Sequence, residues 1–523
     1  MKSYEVDEAF FNELNALYPL PPPARPNGND NRRLPCNPKD VKITRKDWNA
    51  QTPLTLMKRK TLLSLLFSAL LALPAAAQAI AAAQATAAAQ ATAGGKGKTA
   101  DTATQAYTPT AENLAARKRF SDNRFGIFLH WGLYSLFAQG EWYMQNEDID
   151  NREYAKAANA FYPHSFDAKS WVAAIKAAGA KYICFTTRHH DGFSMWDTKQ
   201  SDYNITHTPY GRDIVRQLAD ECHSQGLGLH FYYSHIDWTR DDYPTGRTGL
   251  HTGKDPRKAD WASYYAFMNA QITELLTQYG QVDCMWFDGW WDHDSDSTAF
   301  DWQLPGQYAL IHRLQPACLI GNNHHQTPNE GEDIQMFERD VPGENAAGLS
   351  GQTISHLPLE TCQTMNGMWG YKVKDQNYKS AATLLRLLVR TAAKGANLLL
   401  NVGPQPDGNL PAAALSRLAE MGKWLNGPAG ESIYKTVAGG FAQGDSVVST
   451  RGREDGTLYL HLLSDKASAT LTLPLTEKFA AATALPSGER VTFKRDKRKG
   501  TVTFLLPMWK DNTADFVIKL SKR

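Results

Sequence analysis

A chain of 523 residues with 42% hydrophobic content can bury a large core, and its length favours two domains over one. Its 56 basic and 54 acidic residues leave a net charge of +2, which argues against the basic face or charge block of a nucleic-acid or membrane-surface protein. Cysteines stand singly at 36, 184, 222, 284, 318 and 362, without the close spacing of a zinc knuckle or a redox pair. Cys184 and Cys284 fall inside predicted strands and read as buried thiols, which leaves the compartment open.

In chain order, residues 1–56 are polar and proline-bearing and read as an upstream mis-start or a disordered lead. Met57-Lys58-Arg59-Lys60 then opens a positive n-region, followed by an apolar stretch from Leu62 to Leu73 and small residues with cleavage options after Ala77 or Ala79. Residues 57–79 therefore read as a secretory signal peptide, its apolar core too short for a permanent span. Residues 80–116 are a low-complexity lead of Ala, Gln, Thr and Gly without a buried face.

From 117 to 430 short apolar runs alternate with helical stretches, the signature of a parallel sheet with crossovers. Strands are predicted at Phe125 to Leu129, Tyr182 to Arg188, Leu229 to Ser234, Met285 to Asp288, Cys318 to Asn322 and Asn397 to Val402. Helices are predicted from Ser165 to Gly179, Asp213 to Ser224, Ala259 to Tyr279 and Ala381 to Lys394. No glycine-rich phosphate loop follows the first strand, so an α/β fold of the (β/α) TIM-like barrel type with seven or eight strands is expected rather than a doubly wound sheet. From 431 to 523 the texture changes to short alternating runs: 446–450, 457–463, 470–474, 490–494, 501–506 and 515–520. These predict a C-terminal antiparallel β-sandwich that caps and stabilises the barrel.

The chemistry concentrates where apolar runs stop. Met285-Trp286-Phe287-Asp288-Gly289 ends abruptly on a carboxylate, and strand C-termini carry the chemistry of such barrels. Strand alternation puts Trp286 and Asp288 on one face, and Phe128 and His130 on one face of the first strand. Asp288 could serve merely as a turn cap, but the preceding Met-Trp-Phe favours a catalytic carboxylate. His189 and His190, adjacent at a strand end and followed by Asp191-Gly192, line a site rather than a core. His324-His325 falls on a predicted loop and adds little. A metal-dependent barrel hydrolase is the competing reading for the histidines. However, no H-x-H pair, H-E-x-x-H helix or Cys/His cluster occurs, so no metal and no cofactor are expected. A non-catalytic glycan-binding protein on the same fold is a third reading, which the retained Asp288 disfavours.

The segments Phe125-Gly126-Ile127-Phe128-Leu129-His130-Trp131-Gly132, Glu141-Trp142-Tyr143, Thr187-Arg188-His189-His190-Asp191-Gly192-Phe193, Tyr232-Tyr233-Ser234, Trp286-Phe287-Asp288-Gly289, Trp369-Gly370-Tyr371 and Asn397 to Pro404 together resemble, in order, the motifs of α-L-fucosidases of glycoside hydrolase family 29. The resemblance implies an exo-acting, retaining α-L-fucosidase that takes a fucosylated oligosaccharide or glycoconjugate. Asp288 matches the family's nucleophile. His130, Glu141, Trp142, His189, His190 and one tyrosine of the Tyr232-Tyr233 pair, with Tyr233 favoured, match residues that hold the sugar's hydroxyls. Trp286 and Trp369 would wall the pocket.

Acetal cleavage also needs a second carboxyl to protonate the departing oxygen and later deprotonate water. Glu338, in Phe337-Glu338-Arg339-Asp340-Val341-Pro342, resembles the acid/base that precedes a proline in family members and is the first choice. Glu360, in Leu359-Glu360-Thr361-Cys362, resembles the family's W-E-x-C segment with leucine for tryptophan and is the alternative. Glu332 and Asp333 stay open. The bland alternative for each is a solvated loop carboxylate. A retaining pair stands about 5–5.5 Å apart and an inverting pair about 6.5–9.5 Å apart, so Glu338 or Glu360 is expected to reach Asp288 at the shorter distance.

Overall fold

A computed structural model describes residues 107–522. The mis-start, signal-peptide and most of the low-complexity readings lie outside the described residues. Among the described residues, β1 (Phe125–Leu129), β2 (Tyr182–Arg188), β3 (Gly228–Ser234), β4 (Cys284–Asp288), β5 (Leu319–Asn322), β6 (Gln335–Glu338), β7 (Leu359–Thr364) and β8 (Ala396–Val402) form one parallel sheet. Its order is β5-β4-β3-β2-β1-β8-β7-β6. The ring closes between its two ends through a single parallel bridge, Gly321 to Ile334, with Ile334 N–H donating to the Ile320 carbonyl at 3.1 Å. A Cβ at Gly321 would begin 2.0 Å from Met336 Cε, so the flexible end of that methionine packs into the space the glycine leaves at the seam.

Strand alternation sorts the core into two. Outward residues such as Ile127, Phe185, Phe231 and Phe287 pack beneath the helices. Inward residues such as Phe128, Cys184, Tyr232 and Trp286 form a separate cluster along the axis. Helix α1 (Ala111–Asn123), capped by Thr110, plugs the N-terminal end, with Phe120 packed against Tyr182 and His230. The crossovers run through α2 (Ala168–Ala177), α3 (Ile214–Gln225), α4 (Trp261–Gln278), α5 (Leu304–Leu314) and α6 (Ala381–Ala393), and α7 (Ala412–Leu425) follows β8. Aspartates cap α2, α3 and α4 through their side chains, satisfying first-turn N–H groups. For α2 the cap is Asp167, two residues inside the predicted start.

No described helix joins β5 to β6 or β6 to β7. Neither Glu338 nor Glu360 is a solvated loop carboxylate, since Glu338 ends β6 and Glu360 lies within β7. Both strands are short and polar, and neither shows the apolar run that marks β1 to β4.

The expected sandwich forms from a five-stranded and a three-stranded antiparallel sheet. Two strands were not predicted: β9 (Thr436–Gln443), interrupted by Gly439-Gly440, and β13 (Ala481–Leu485), made of small residues. The others are β10 (Val447–Gly452), β11 (Leu458–Leu462), β12 (Thr470–Leu473), β14 (Thr492–Asp496), β15 (Thr501–Leu505) and β16 (Phe516–Ser521). Leu460, Leu473, Val502, Phe504 and Ile518 fill the space between the sheets. The sandwich docks on the barrel through Arg386 of α6, whose Nε donates to the Ala514 carbonyl at 3.0 Å, and through the Arg453–Asp122 ion pair at 2.6 Å. Among the described residues no helix is long and apolar enough to cross a membrane.

One buried polar chain stitches the sandwich to the segment that leads into it. Thr450 Oγ1 donates to the Ser432 carbonyl at 2.5 Å and lies 2.9 Å from His461 Nε2, whose Nδ1 is 2.6 Å from Asp515 Oδ2. The imidazole and carboxylate are fully buried, so removing one partner strands the other. Asp515→Ala is expected to cost about 3–5 kcal/mol of stability, read as a lowered denaturation midpoint. The activity per folded molecule should stay intact.

Candidate active site

The C-terminal end of the barrel opens into a cavity of about 250 Å³. Asp288 closes β4 at its rim. Gly289, at φ +101°, turns the chain so sharply that its own N–H returns to Asp288 Oδ1 at 2.9 Å. A Cβ there would begin 2.6 Å from Ile236 Cγ1. Trp291 Nε1 also donates to Oδ1, at 3.0 Å, and Tyr232 Oη donates to Oδ2 at 3.0 Å.

Glu338 reaches the same cavity from the end of β6. Asn323, one residue past β5, connects the two acids: its Nδ2 donates to Glu338 Oε2 at 2.8 Å and to Asp288 Oδ1 at 3.4 Å. Glu338 Oε2 also lies 3.1 Å from His325 Nε2, and Arg339 Nε is 3.8 Å from Oε1. Burial and the facing Glu338 charge raise Asp288 to about 6, against the hydrogen bonds from Trp291 and Tyr232. Burial pulls Glu338 upward too. There the hydrogen bond and charge of His325, with help from Asn323 and Arg339, prevail and hold it below the usual glutamate range.

Three buried histidines face the pair, and burial holds all of them neutral. His130 is pushed down to about 3, His190 likewise to about 3, and His189 well below the ordinary range. Hydrogen bonds set two tautomers. Asn401 Nδ2 is committed to the Trp369 carbonyl at 2.7 Å, so Asn401 Oδ1 accepts from His130 Nδ1 at 2.7 Å. The Ser234 hydroxyl donates to the Ile236 carbonyl at 2.8 Å, so it accepts from His190 Nδ1 at 2.7 Å. Both rings therefore present Nε2 as an acceptor, that of His190 lying 3.7 Å from Asp288 Oδ2. His189 stacks flat on Tyr232, with ring centres 5.3 Å apart, and its Nδ1 has no protein partner. A wall of neutral imidazole acceptors suits a ligand rich in hydroxyl donors.

Rings enclose the rest. Trp286, Phe128 and Trp369 form one side, and Trp142 stacks on Trp291 with centres 5.8 Å apart at 22° on the other. Arg247, Leu349 and Cys362 complete the lining. The cavity thus gathers Phe128, His130, Trp142, His189, His190, Trp286, Asp288, Glu338 and Trp369 from the sequence-based expectations.

Three expectations need correction. Tyr233 points away from the axis, its hydroxyl donating to Gln271 Oε1 at 2.7 Å and its ring beneath the Arg188 guanidinium, so Tyr232 holds the pocket position. The β3–β4 register pairs Tyr232 with Trp286, and the alternation already applied to Trp286 would have selected it. Glu360 does not line the cavity. It lies buried on the barrel axis, accepting from Tyr182 Oη at 2.6 Å and Trp286 Nε1 at 2.9 Å, and burial raises it to about 7. Glu141 is also absent from the lining: its Oε2 accepts the Gly370 N–H at 2.7 Å and so holds the Trp369 loop. Trp291, in a short 3-10 helix after β4, and Asn323, just past β5, were missed, and His325 was set aside as a loop residue, because periodicity carries no information at these positions.

Among the described residues no group of three or more His, Cys, Asp or Glu side chains is placed to hold a metal ion. The open positions of Glu332 and Asp333 are taken up structurally, Glu332 by Tyr308 and His324, and Asp333 by Arg117 and His312.

Residues 96–429 match the family model described as alpha-L-fucosidase. An α-L-fucosidase of Dictyostelium discoideum is 27% identical over 443 residues, covering 77% of this chain and 92% of that one. The structure of α-L-fucosidase isoenzyme 1 from Paenibacillus thiaminolyticus is 34% identical with a TM-score of 0.70, covering 79% of this chain and all of that one. A family 29 α-L-fucosidase from Bacteroides thetaiotaomicron, solved as a trapped covalent intermediate, is 25% identical with a TM-score of 0.68, covering 80% of this chain and 97% of that one. The chain belongs to the α-L-fucosidase family, glycoside hydrolase family 29.

Proposed function

We propose that this protein is an exported, exo-acting α-L-fucosidase that works with retention, Asp288 serving as nucleophile and Glu338 as acid/base. The observation that carries the reading is the shared amide of Asn323. Two acceptor oxygens bonded to one nitrogen can stand no further apart than those two bonds end to end, about 6 Å, which favours the retaining spacing of about 5–5.5 Å over the inverting one. The covalent intermediate trapped in the Bacteroides relative supports the same course.

The chemistry then follows from the residues. Asp288 Oδ attacks the anomeric carbon as the glycosidic C–O bond breaks, and Glu338 passes a proton to the departing oxygen. Tyr232, Trp291 and the Gly289 N–H hold the nucleophile without neutralising it. In the second half Glu338 takes a proton from water, whose oxygen displaces Asp288. Neutral His130 and His190 accept from sugar hydroxyls through Nε2, and the rings offer an apolar wall to the 6-methyl of fucose. The exo reading comes from the family resemblance, and a cavity of about 250 Å³ walled by Trp286 and other rings is consistent with it. Export rests on the signal-like stretch from Met57 alone.

Purified protein lacking residues 1–79 should hydrolyse an aryl α-L-fucoside. Asp288→Ala should lose about 10³-fold or more in kcat, and azide should restore turnover to Glu338→Ala as a fucosyl azide. Full activity in Glu338→Ala would remove it from the acid/base role. The acid limb of the pH profile should also be displaced. Asp288 must be ionised to attack, and a carboxyl raised to about 6 loses that form well above the pH at which an ordinary aspartate would. For a fucoside with a good leaving group, kcat/KM should therefore fall as pH drops through about 6, and a plateau persisting below pH 5 would contradict the burial argument. N-terminal sequencing of protein collected outside the producing cell should begin at Gln78 or Ile80. A first residue before Met57 would refute both the start and the signal.

A further inference from the structure

The acid/base reading leaves a proton to be found. A general acid must carry its proton when substrate arrives, yet the hydrogen bond and charge of His325, with Asn323 and Arg339, hold Glu338 below the usual glutamate range. The group in direct contact with its carboxylate is His325, with Nε2 3.1 Å from Oε2. His325 also lines the cavity, so whatever fills the cavity covers this pair as well. Its backbone lies in the left-handed region at φ +63°, which a non-glycine residue adopts at a cost and which places the ring over Glu338.

We propose that His325 is the positioning residue that stores the proton used by Glu338, an inference that rests on Glu338 being the acid/base. One proton shared by the pair sits either on His325 Nε2, as imidazolium–carboxylate, or on Glu338 Oε2, as imidazole–carboxylic acid. When a sugar expels water, the neutral imidazole–carboxylic acid form gains, because two separated charges lose more hydration than two neutral groups. The Nε2–H bond breaks and an O–H bond forms on Glu338. That proton then moves to the glycosidic oxygen as the C–O bond cleaves with its electron pair on the leaving group. In the second half-reaction Glu338 gains a proton from the attacking water and returns it to Nε2, so the pair ends as it began. No other reactant is needed.

Other charged groups around the pair limit how it can behave. Asp288 faces it from β4 through Asn323, Arg339 approaches Oε1 from the chain beyond β6, and Arg247 lines the same cavity from the loop after β3. His130 from β1 and Cys362 from β7 are neutral neighbours, and Glu141 lies further back with its carboxylate on Gly370. Neither arginine can give up a proton at working pH, which leaves His325 as the donor in contact with Glu338.

The test uses full-length processed enzyme and two fucosides. One is methyl α-L-fucoside, whose leaving oxygen must be protonated, and the other is 2,4-dinitrophenyl α-L-fucoside, whose leaving group departs without a proton. His325→Asn keeps a polar side chain that tolerates the left-handed backbone but cannot titrate. It should lose about 10²-fold in kcat on the methyl glycoside, remain within about threefold of wild type on the dinitrophenyl one, and move the basic limb of the methyl-glycoside profile. His325→Gly, which also accepts that backbone, should regain methyl-fucoside turnover with added imidazole. Equal losses on both substrates, or no loss with an unchanged profile, would overturn the role of His325. Failure of wild-type enzyme on both fucosides would instead overturn the fucosidase reading, and absence of azide rescue in Glu338→Ala would overturn the acid/base assignment.

Discussion

The two-residue alternation of a closed parallel barrel is the constraint on which everything at this site depends. Each strand must give one set of side chains to the helices and the other to the axis, and both sets are buried. Because β3 and β4 pair in register, their last inward residues finish together at the C-terminal rim. His130 lies just past β1, Ser234 pairs with Asp288, and Tyr232 stands one inward step below beside Trp286. A single-residue slip in β3 would replace the Tyr232 hydroxyl at Asp288 with a side chain aimed at α4. The inner cluster beneath is therefore more than filler, since Phe128, Tyr232 and Trp286 form the floor on which the polar rim rests.

Burial then determines the chemistry of that rim. Removing three imidazoles from water keeps them neutral, and the commitments of Asn401 and Ser234 give two of them a defined acceptor face. The same burial, with the facing Glu338 charge, raises Asp288, but hydrogen bonds from Trp291 and Tyr232 limit the rise. Neutral histidines and an ionisable acid share one cavity because hydrogen bonds hold the carboxylate in place.

Much of this was legible in the sequence wherever a strand was apolar and long. The runs ending at His130, Arg188, Ser234 and Asp288 announced both the barrel and its catalytic end. Legibility failed where polar residues enter a strand for reasons of chemistry. Gln335 to Glu338 and Leu359 to Thr364 look like loops because Glu338 serves the cavity while Glu360 braces Trp286 from within the barrel. In the sandwich, β9 and β13 were hidden by glycine and alanine, which carry no β signal of their own and are held by their neighbours. The choice of Tyr233 over Tyr232 was a different failure: family likeness was followed at a position where strand alternation pointed the other way. Asn323 and His325 had no periodic signal to find, since each occupies a turn whose geometry exists only once β5 and β6 have closed the ring.

That closure is also the least regular part of the barrel. Where other neighbours share full ladders, β5 and β6 share one bridge, and the chain between them carries both Asn323 and His325. An intervening helix would have fixed this edge at the expense of the short connection that brings an amide and an imidazole onto Glu338. The seam is instead held from below, where Asp333 accepts from Arg117 of α1 at 2.6 Å and from the Ile320 N–H at 2.8 Å. A buried ion pair at the barrel's foot thus secures the strand whose other end presents the acid, and the loop above it is left free to be shaped by the needs of proton transfer.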